Sequence, residues 1–201
     1  MIVIVEGCGT NITSVQFALE RIGKKACVTT DVKRIQSASH VILPGVNTAS
    51  RAMSQLQQHQ LTEVIRHLKQ PVLGICSGMQ ILYDHSEEGD VACLNIFPGK
   101  IASLPAGKGL TVPHMGWNQL QWQGPASSLV KGINTGSYVY FVHSYVSPLD
   151  EKTQAYTLAT AHYGLTFSAI VQQHNFYGVQ FHPERSGQVG EKILHNFLTL
   201  E

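Results

Sequence analysis

Val72-Leu73-Gly74-Ile75-Cys76-Ser77-Gly78-Met79-Gln80 is a short apolar run that meets a Gly-x-Cys-x-Gly corner. The order predicts a strand, a sharp turn with Cys76 at its apex, and a helix over 78–83. This is the nucleophile-elbow pattern with Cys in place of Ser. Gly74 and Gly78 have a mechanical reason, because a side chain at either would collide with neighbouring backbone in so strained a turn. A cysteine at a helix N-terminus has its thiolate favoured by the free N–H groups there, and those groups can also hold an oxyanion. The other reading of this stretch is a small buried core cysteine beside a tight turn.

Phe181-His182-Pro183-Glu184 weighs against that other reading. A nucleophilic cysteine needs a base, and the base needs an orienter. His182 and Glu184 are two apart, so on an extended chain they point the same way. Glu184 would then bond one imidazole nitrogen while the other faces Cys76. A Cys76-His182-Glu184 triad follows, defined by roles and not by chain order.

Together, Gly-Ile-Cys-Ser-Gly-Met-Gln and Phe-His-Pro-Glu-Arg-Ser resemble the class I (triad-type) glutamine amidotransferase family. Three further stretches are similar to the glutaminase subunits of imidazole glycerol phosphate synthases: Pro113-His114-Met115-Gly116-Trp117-Asn118, Tyr140-Phe141-Val142-His143-Ser144-Tyr145, and Asn175-Phe176-Tyr177-Gly178-Val179-Gln180. The resemblance runs from Ile2 to the C-terminus. It implies L-glutamine as substrate, no metal and no organic cofactor. It also implies a heterodimer with a (β/α)8 cyclase subunit that receives the ammonia in histidine biosynthesis. It makes Gln80, His143, Ser144 and Tyr145 substrate-binding, the last three largely through backbone groups. Met115, Trp117 and Arg185 become contacts to the cyclase. An oxyanion hole is implied from the Ser77 N–H and the Gly45-Val46 loop. Asn47 stands where that loop usually has Gly. Near the N-terminus, Glu6-Gly7-Cys8-Gly9-Thr10-Asn11 keeps only the Gly and Asn positions of the family's turn. No phosphate loop is read there, since neither a third spaced Gly nor a loop Lys follows.

The rest of the chain bounds these expectations. At 201 residues one domain over 1–201 is expected. A net charge of +1 gives no electrostatic case for nucleic acid or an anionic membrane. Cys8, Cys27, Cys76 and Cys93 have neither metal-ligand spacing nor a disulfide framework, which suits a reduced, cytoplasmic protein. Ile2–Val5, Ala26–Thr29 and His40–Leu43 read as strands separated by helix-compatible segments, with helices over 48–59 and 61–69. That rhythm predicts an α/β fold: a doubly wound, flavodoxin-like, mostly parallel sheet flanked by helices. From Phe97 strand-like pieces crowd together at 100–104, 117–122, 138–143, 155–161, 167–173 and 176–181. They predict a smaller antiparallel extension. Asn11 or Thr13 is expected to cap the first helix and Ser186 the last. Glu87-Glu88-Gly89-Asp90 reads as a solvated loop, and 113–118 as a loop. Without the resemblance, a stand-alone Cys hydrolase and a catalytically decayed binding subunit both stay open. Within it, a paralogue feeding ammonia to another acceptor does too.

Overall fold

The computed structural model describes residues 1–6, 11–45, 47–107 and 109–201. Its first half runs β1 (Ile2–Val5), α1 (Ile12–Arg21), β2 (Ala26–Thr29), α2 (Val32–Gln36), β3 (His40–Leu43), α3 (Ala49–Gln58), α4 (Thr62–Arg66), β4 (Val72–Ile75) and α5 (Ser77–Gln80). Then come β5 (Tyr83–Ser86), β6 (Val91–Ala92), β7 (Phe97–Ser103), β8 (His114–Gln119), β9 (Gln121–Trp122), β10 (Tyr138–His143) and β11 (Tyr145–Val146). The chain closes with α6 (Glu151–Gln154), β12 (Thr157–Tyr163), β13 (Leu165–Gln173), β14 (Phe176–Val179) and α7 (Gly187–Phe197).

Four strands of continuous apolar sequence pair in parallel with one another and with β2, in the order β2-β1-β3-β4-β14. This is the flavodoxin-like order. Successive residues of β1 face opposite ways, so both faces must be covered. Ile2 and Ile4 join Leu19 of α1 and Ile193, Leu194 and Phe197 of α7 in one core. Val3 and Val5 join Ile35 of α2, Met53 and Leu56 of α3, and Ile65 of α4 in the other. β13, β12 and β9 extend the same sheet antiparallel from β14. A β10-β8 pair and a β11-β7-β5-β6 sheet complete the extension. The doubly wound sheet with an antiparallel addition is as the sequence predicts, except that the piece expected in the addition over 176–181 is β14, which pairs in parallel with β4.

Several local expectations are corrected. The elbow helix is one turn, Ser77–Gln80, and does not reach Tyr83. The carbonyls of Ile81, Leu82 and Tyr83 accept from Leu94, Ile96, Phe97 and Asn95 N–H groups at 2.8–2.9 Å, so the chain leaves the helix to build β5. The helix expected over 61–69 ends at Arg66. Asn175 Nδ2 donates to the Leu68 and Gln70 carbonyls and pins that segment as a turn ahead of Pro71. The piece at 117–122 breaks at Leu120, because β8 pairs with β10 and β9 with β12. Residues 113–118 are therefore largely strand and not loop. Neither Asn11 nor Ser186 caps its helix through the side chain. Both are used at the site instead.

Candidate active site

The strand β4 ends where the chain must reverse within one residue. Cys76 takes φ +53° and ψ −114°, a region that side chains avoid and that is tolerated only where the surroundings impose it. What imposes it is packing without side chains. A Cβ on Gly78 would lie 2.0 Å from the Leu43 carbonyl oxygen, and one on Gly74 would lie 2.5 Å from the Gly78 carbonyl oxygen. The Cys76 N–H donates to the Val179 carbonyl at 2.8 Å, tying the apex to β14. Cys76 is 5% exposed. Its thiol points towards the Val142 carbonyl at 3.6 Å.

β14 neighbours β4 in the sheet, so its C-terminal end delivers His182 beside Cys76. His182 Nδ1–H donates to Glu184 Oε1 at 2.7 Å, and the imidazole is within hydrogen-bonding reach of Cys76. The pairing does not come from strand alternation. Glu184 lies in a 3-10 turn, Pro183–Arg185, which folds its carboxylate back under the ring. Ser186 Oγ donates to the His182 carbonyl at 2.7 Å and accepts from the Tyr140 N–H at 3.0 Å. The His182 N–H donates to the Tyr140 carbonyl at 2.9 Å, so the turn is clamped to β10. Asn11 Nδ2 donates to Glu184 Oε1, holding the orienter from the start of α1. Burial alone would lower the His182 pKa. The facing Cys76 and the Glu184 carboxylate outweigh it and raise the value to about 10. The protonated imidazole is the form this geometry favours.

A cavity of about 380 Å³ opens over Cys76 and His182 at the C-terminal ends of β4 and β14, where ligands enter open α/β sheets. Ser77, Gln80, His143, Ser144, Tyr145 and Arg185 line it, so the structure brings these sequence-predicted residues together. Gln80 is buried, and its Nε2 donates to the Tyr145 carbonyl at 2.8 Å and to Gln180 Oε1 at 3.0 Å. Gly45 lies against the elbow, where a Cβ would be 2.2 Å from the Gly78 nitrogen. Val46 is outside the described residues. Met115 and Trp117 are 63% and 55% exposed on β8, away from the cavity. Trp117 packs edge-on against Tyr140 at 5.8 Å, and the Arg185 guanidinium lies over the same ring at 5.2 Å.

Sequence reasoning missed Glu88, Gln180 and Asn11. Glu88 is no solvated residue: it lines the cavity, and its Oε2 accepts from the Ala49 N–H at 2.8 Å. Its carboxyl is pushed up by burial, with the Ala49 N–H opposing. The buried Gln180 gives a signal in hindsight, since it is a lone amide between Val179 and Phe181 just ahead of His182.

These features define a class of protein. Residues 5–200 match the model of the glutamine amidotransferase class-I family, and the chain belongs to that family. Within it, the chain is 51% identical to "Imidazole glycerol phosphate synthase subunit HisH 2" of Legionella pneumophila (strain Lens), over all of this chain and 98% of that protein. It is 50% identical to "Imidazole glycerol phosphate synthase subunit HisH" of Idiomarina loihiensis, over 99% of this chain and 97% of that one. Among solved structures, PurLQS from Thermotoga maritima aligns with a TM-score of 0.70 at 19% identity, covering 98% of this chain and 96% of that one. That likeness carries the fold alone.

Proposed function

We propose that this chain is the glutaminase subunit of an imidazole glycerol phosphate synthase. It hydrolyses the side-chain amide of L-glutamine and passes the ammonia to a cyclase subunit, a (β/α)8 barrel, in a heterodimer of histidine biosynthesis. The family, and relatives half-identical over their full length, support the reading. The observation that carries it is the strained Cys76 facing a His182 held by Glu184.

The Cys76 thiolate attacks the amide carbon and forms a C–S bond. The resulting oxyanion is held by the Ser77 N–H and an N–H of the Gly45-Val46 loop. His182 gives its proton to the amide nitrogen, the C–N bond breaks and ammonia leaves. Water then adds to the thioester as His182 takes its proton, the C–S bond breaks, and glutamate departs with the thiolate restored. Glu184 keeps Nδ1 of His182 protonated, so Nε2 does the transfer. Glu88 offers a carboxylate to the α-ammonium of glutamine, and the backbone of 143–145 with Gln80 forms the wall for the rest. The chemistry calls on no metal or organic cofactor. Cys27, Cys76 and Cys93 are free thiols, in keeping with the cytoplasm, and no helix among the described residues is long and apolar enough to cross a membrane.

The test is glutamine turnover in the presence of the cyclase. Cys76→Ala and His182→Ala abolish it while the fold persists. Glu184→Ala loses less, because an orienter contributes less than the base it orients. Substantial turnover by folded Cys76→Ala would remove Cys76 as the nucleophile.

A further inference from the structure

Two buried histidines stand behind the glutamine wall, and the mechanism above uses neither ring. His143 is 6% exposed and His114 is 4% exposed. Their rings meet, His114 Nδ1 to His143 Nε2, at 3.0 Å. The protons on this pair follow from its two ends. The Tyr145 carbonyl, 3.0 Å from His143 Nδ1, can only accept, so His143 carries its proton on Nδ1. His143 Nε2 is then an acceptor, and His114 must donate from its own Nδ1. His114 Nε2 is left to accept, and Asn118 Nδ2 stands 3.4 Å away to donate. Every atom of the run Asn118, His114, His143, Tyr145 thus has one direction. Desolvation holds both rings neutral, His114 lowered to about 4 and His143 to about 3, the latter helped by its neighbour His114.

The run ends on a functional atom. The Tyr145 carbonyl that His143 fixes also accepts from Gln80 Nε2 at 2.8 Å. Gln80 in turn donates to Gln180, whose Nε2 is 3.8 Å from Cys76 Sγ. The other end starts on β8. His114 is stacked between Tyr163 at 4.0 Å and Phe141 at 5.0 Å, which sets the plane of its ring and the direction of its Nδ1–H. Asn118 is anchored independently, donating to the His162 carbonyl at 2.9 Å.

We infer that His114 is a positioning residue for glutamine binding: through His143 it fixes the Tyr145 carbonyl and, with it, the Gln80 side chain that forms the wall of the Cys76 cavity. The inference rests on the glutaminase reading of that cavity. A merely structural pair would trade stability for hydrogen bonds and leave substrate affinity alone. A positioning pair moves KM before kcat, because Cys76 is held by the elbow and β14, and His182 by Glu184 and the turn after it, and neither ring takes part in those bonds.

The experiment uses the chain in complex with the cyclase. His114→Leu removes the donor, and His114→Asn keeps one, since an asparagine Nδ2 sits as far along the side chain as the histidine Nδ1. KM for glutamine rises on the order of tenfold in His114→Leu, the scale of one buried hydrogen bond. Its kcat changes little, and His114→Asn recovers most of the loss. Parental KM in folded His114→Leu, or no recovery by His114→Asn, overturns the inference. Ring 15N spectra of the unsubstituted protein decide independently of any variant's folding. Both rings are expected as neutral Nδ1–H tautomers, and an Nε2–H tautomer at either breaks the run and overturns it. Cys76→Ala separates the two readings. If it is inert while His114→Leu keeps parental KM, only the positioning role fails; if it turns over glutamine, the glutaminase reading fails first.

Discussion

At the scale of the residue, the site sets one histidine against two others. On folding, burial works against a charged His182, but the facing Cys76 and Glu184 outweigh it, so its folded pKa lies above the unfolded 6.5, near 10. That contribution to stability is complete below about pH 6.5 and is lost as pH rises through about 10. His114 and His143 gain a dry environment instead, and their folded values lie below 6.5. The unfolded chain then binds protons that the folded chain refuses, so stability falls as pH drops below 6.5 towards 4. For His143 the loss by pH 5 is on the order of 2 kcal/mol, taking 1.36 kcal/mol per unit. Denaturant unfolding at pH 7 and pH 5 checks this: His143→Asn is expected to lose less stability between the two than the parent. An equal loss would mean that His143 is protonated inside the fold. That Cys76, His182 and Glu184 come together was legible from residue types, yet the part of Asn11 was not. Its amide serves Glu184 from the other end of the chain, and nothing in its local sequence points there.

At the scale of the element, the reactive cysteine relies on a single helical turn. α5 has four residues, too short for a large macrodipole, so what it offers an anion at Cys76 in the proposed mechanism is individual N–H groups. The sequence reads as a longer helix because 78–83 carries no breaker. What ends it is non-local: segment 94–97 takes the carbonyls that a second turn would need. β1, β2 and β3 were legible to the residue as short runs between helix-compatible segments, whereas the parallel β14 was read two residues too long and as part of the antiparallel extension. Of the antiparallel pieces β10 was legible to the residue, while β7, β12 and β13 drifted by two or three residues at one or both ends, because pairing with a partner sets those ends. β8 was half hidden for another reason. Its exposed face carries Met115 and Trp117, so it lacks the apolar-in, polar-out alternation that marks a strand. The loop proposed to supply an oxyanion donor ends at Asn47. Asn47 Nδ2 donates to Gln55 Oε1 of α3 at 3.4 Å, near the limit of a useful bond. Asn47→Gly therefore costs little and lets the loop reach positive φ more easily. Glutamine turnover without the cyclase is expected to hold or rise, within the factor of about 10²–10³ that one oxyanion donor is worth. A clear fall in the folded variant would assign the Asn47 side chain a role of its own.

At the scale of the whole molecule, the exposed β8-β10 face runs up to the cavity, since cavity-lining Val142 is paired with Met115 and cavity-lining Arg185 lies over Tyr140, which is paired with Trp117. Trp117, Met115 and Tyr138 lie open on that sheet, an apolar surface of the kind that marks an interface. β10 also clamps the His182 turn through Tyr140, so a partner seated on this sheet touches the support of the base. The isolated chain is expected to be a poor glutaminase that the cyclase and its nucleotide ligand switch on; full turnover by the lone chain would sink that expectation. Trp117→Ala should weaken association by about 2 kcal/mol if it is a hot spot. Because Trp117 is 55% exposed, the melting temperature of the free subunit should barely move. Calorimetric titration and a thermal melt read the two arms, and a variant that unfolds but binds normally when folded would make Trp117 part of the core. The adjacency of β4 and β14 has a further result during synthesis. A ribosome releases the cysteine long before the strand that ends at its base, and until β14 inserts beside β4 the thiol lacks its proton partner and the cavity lacks a floor. The nascent protein thus carries Cys76 without His182 beside it until the sheet is closed, so the two halves of the proposed site meet only late in synthesis.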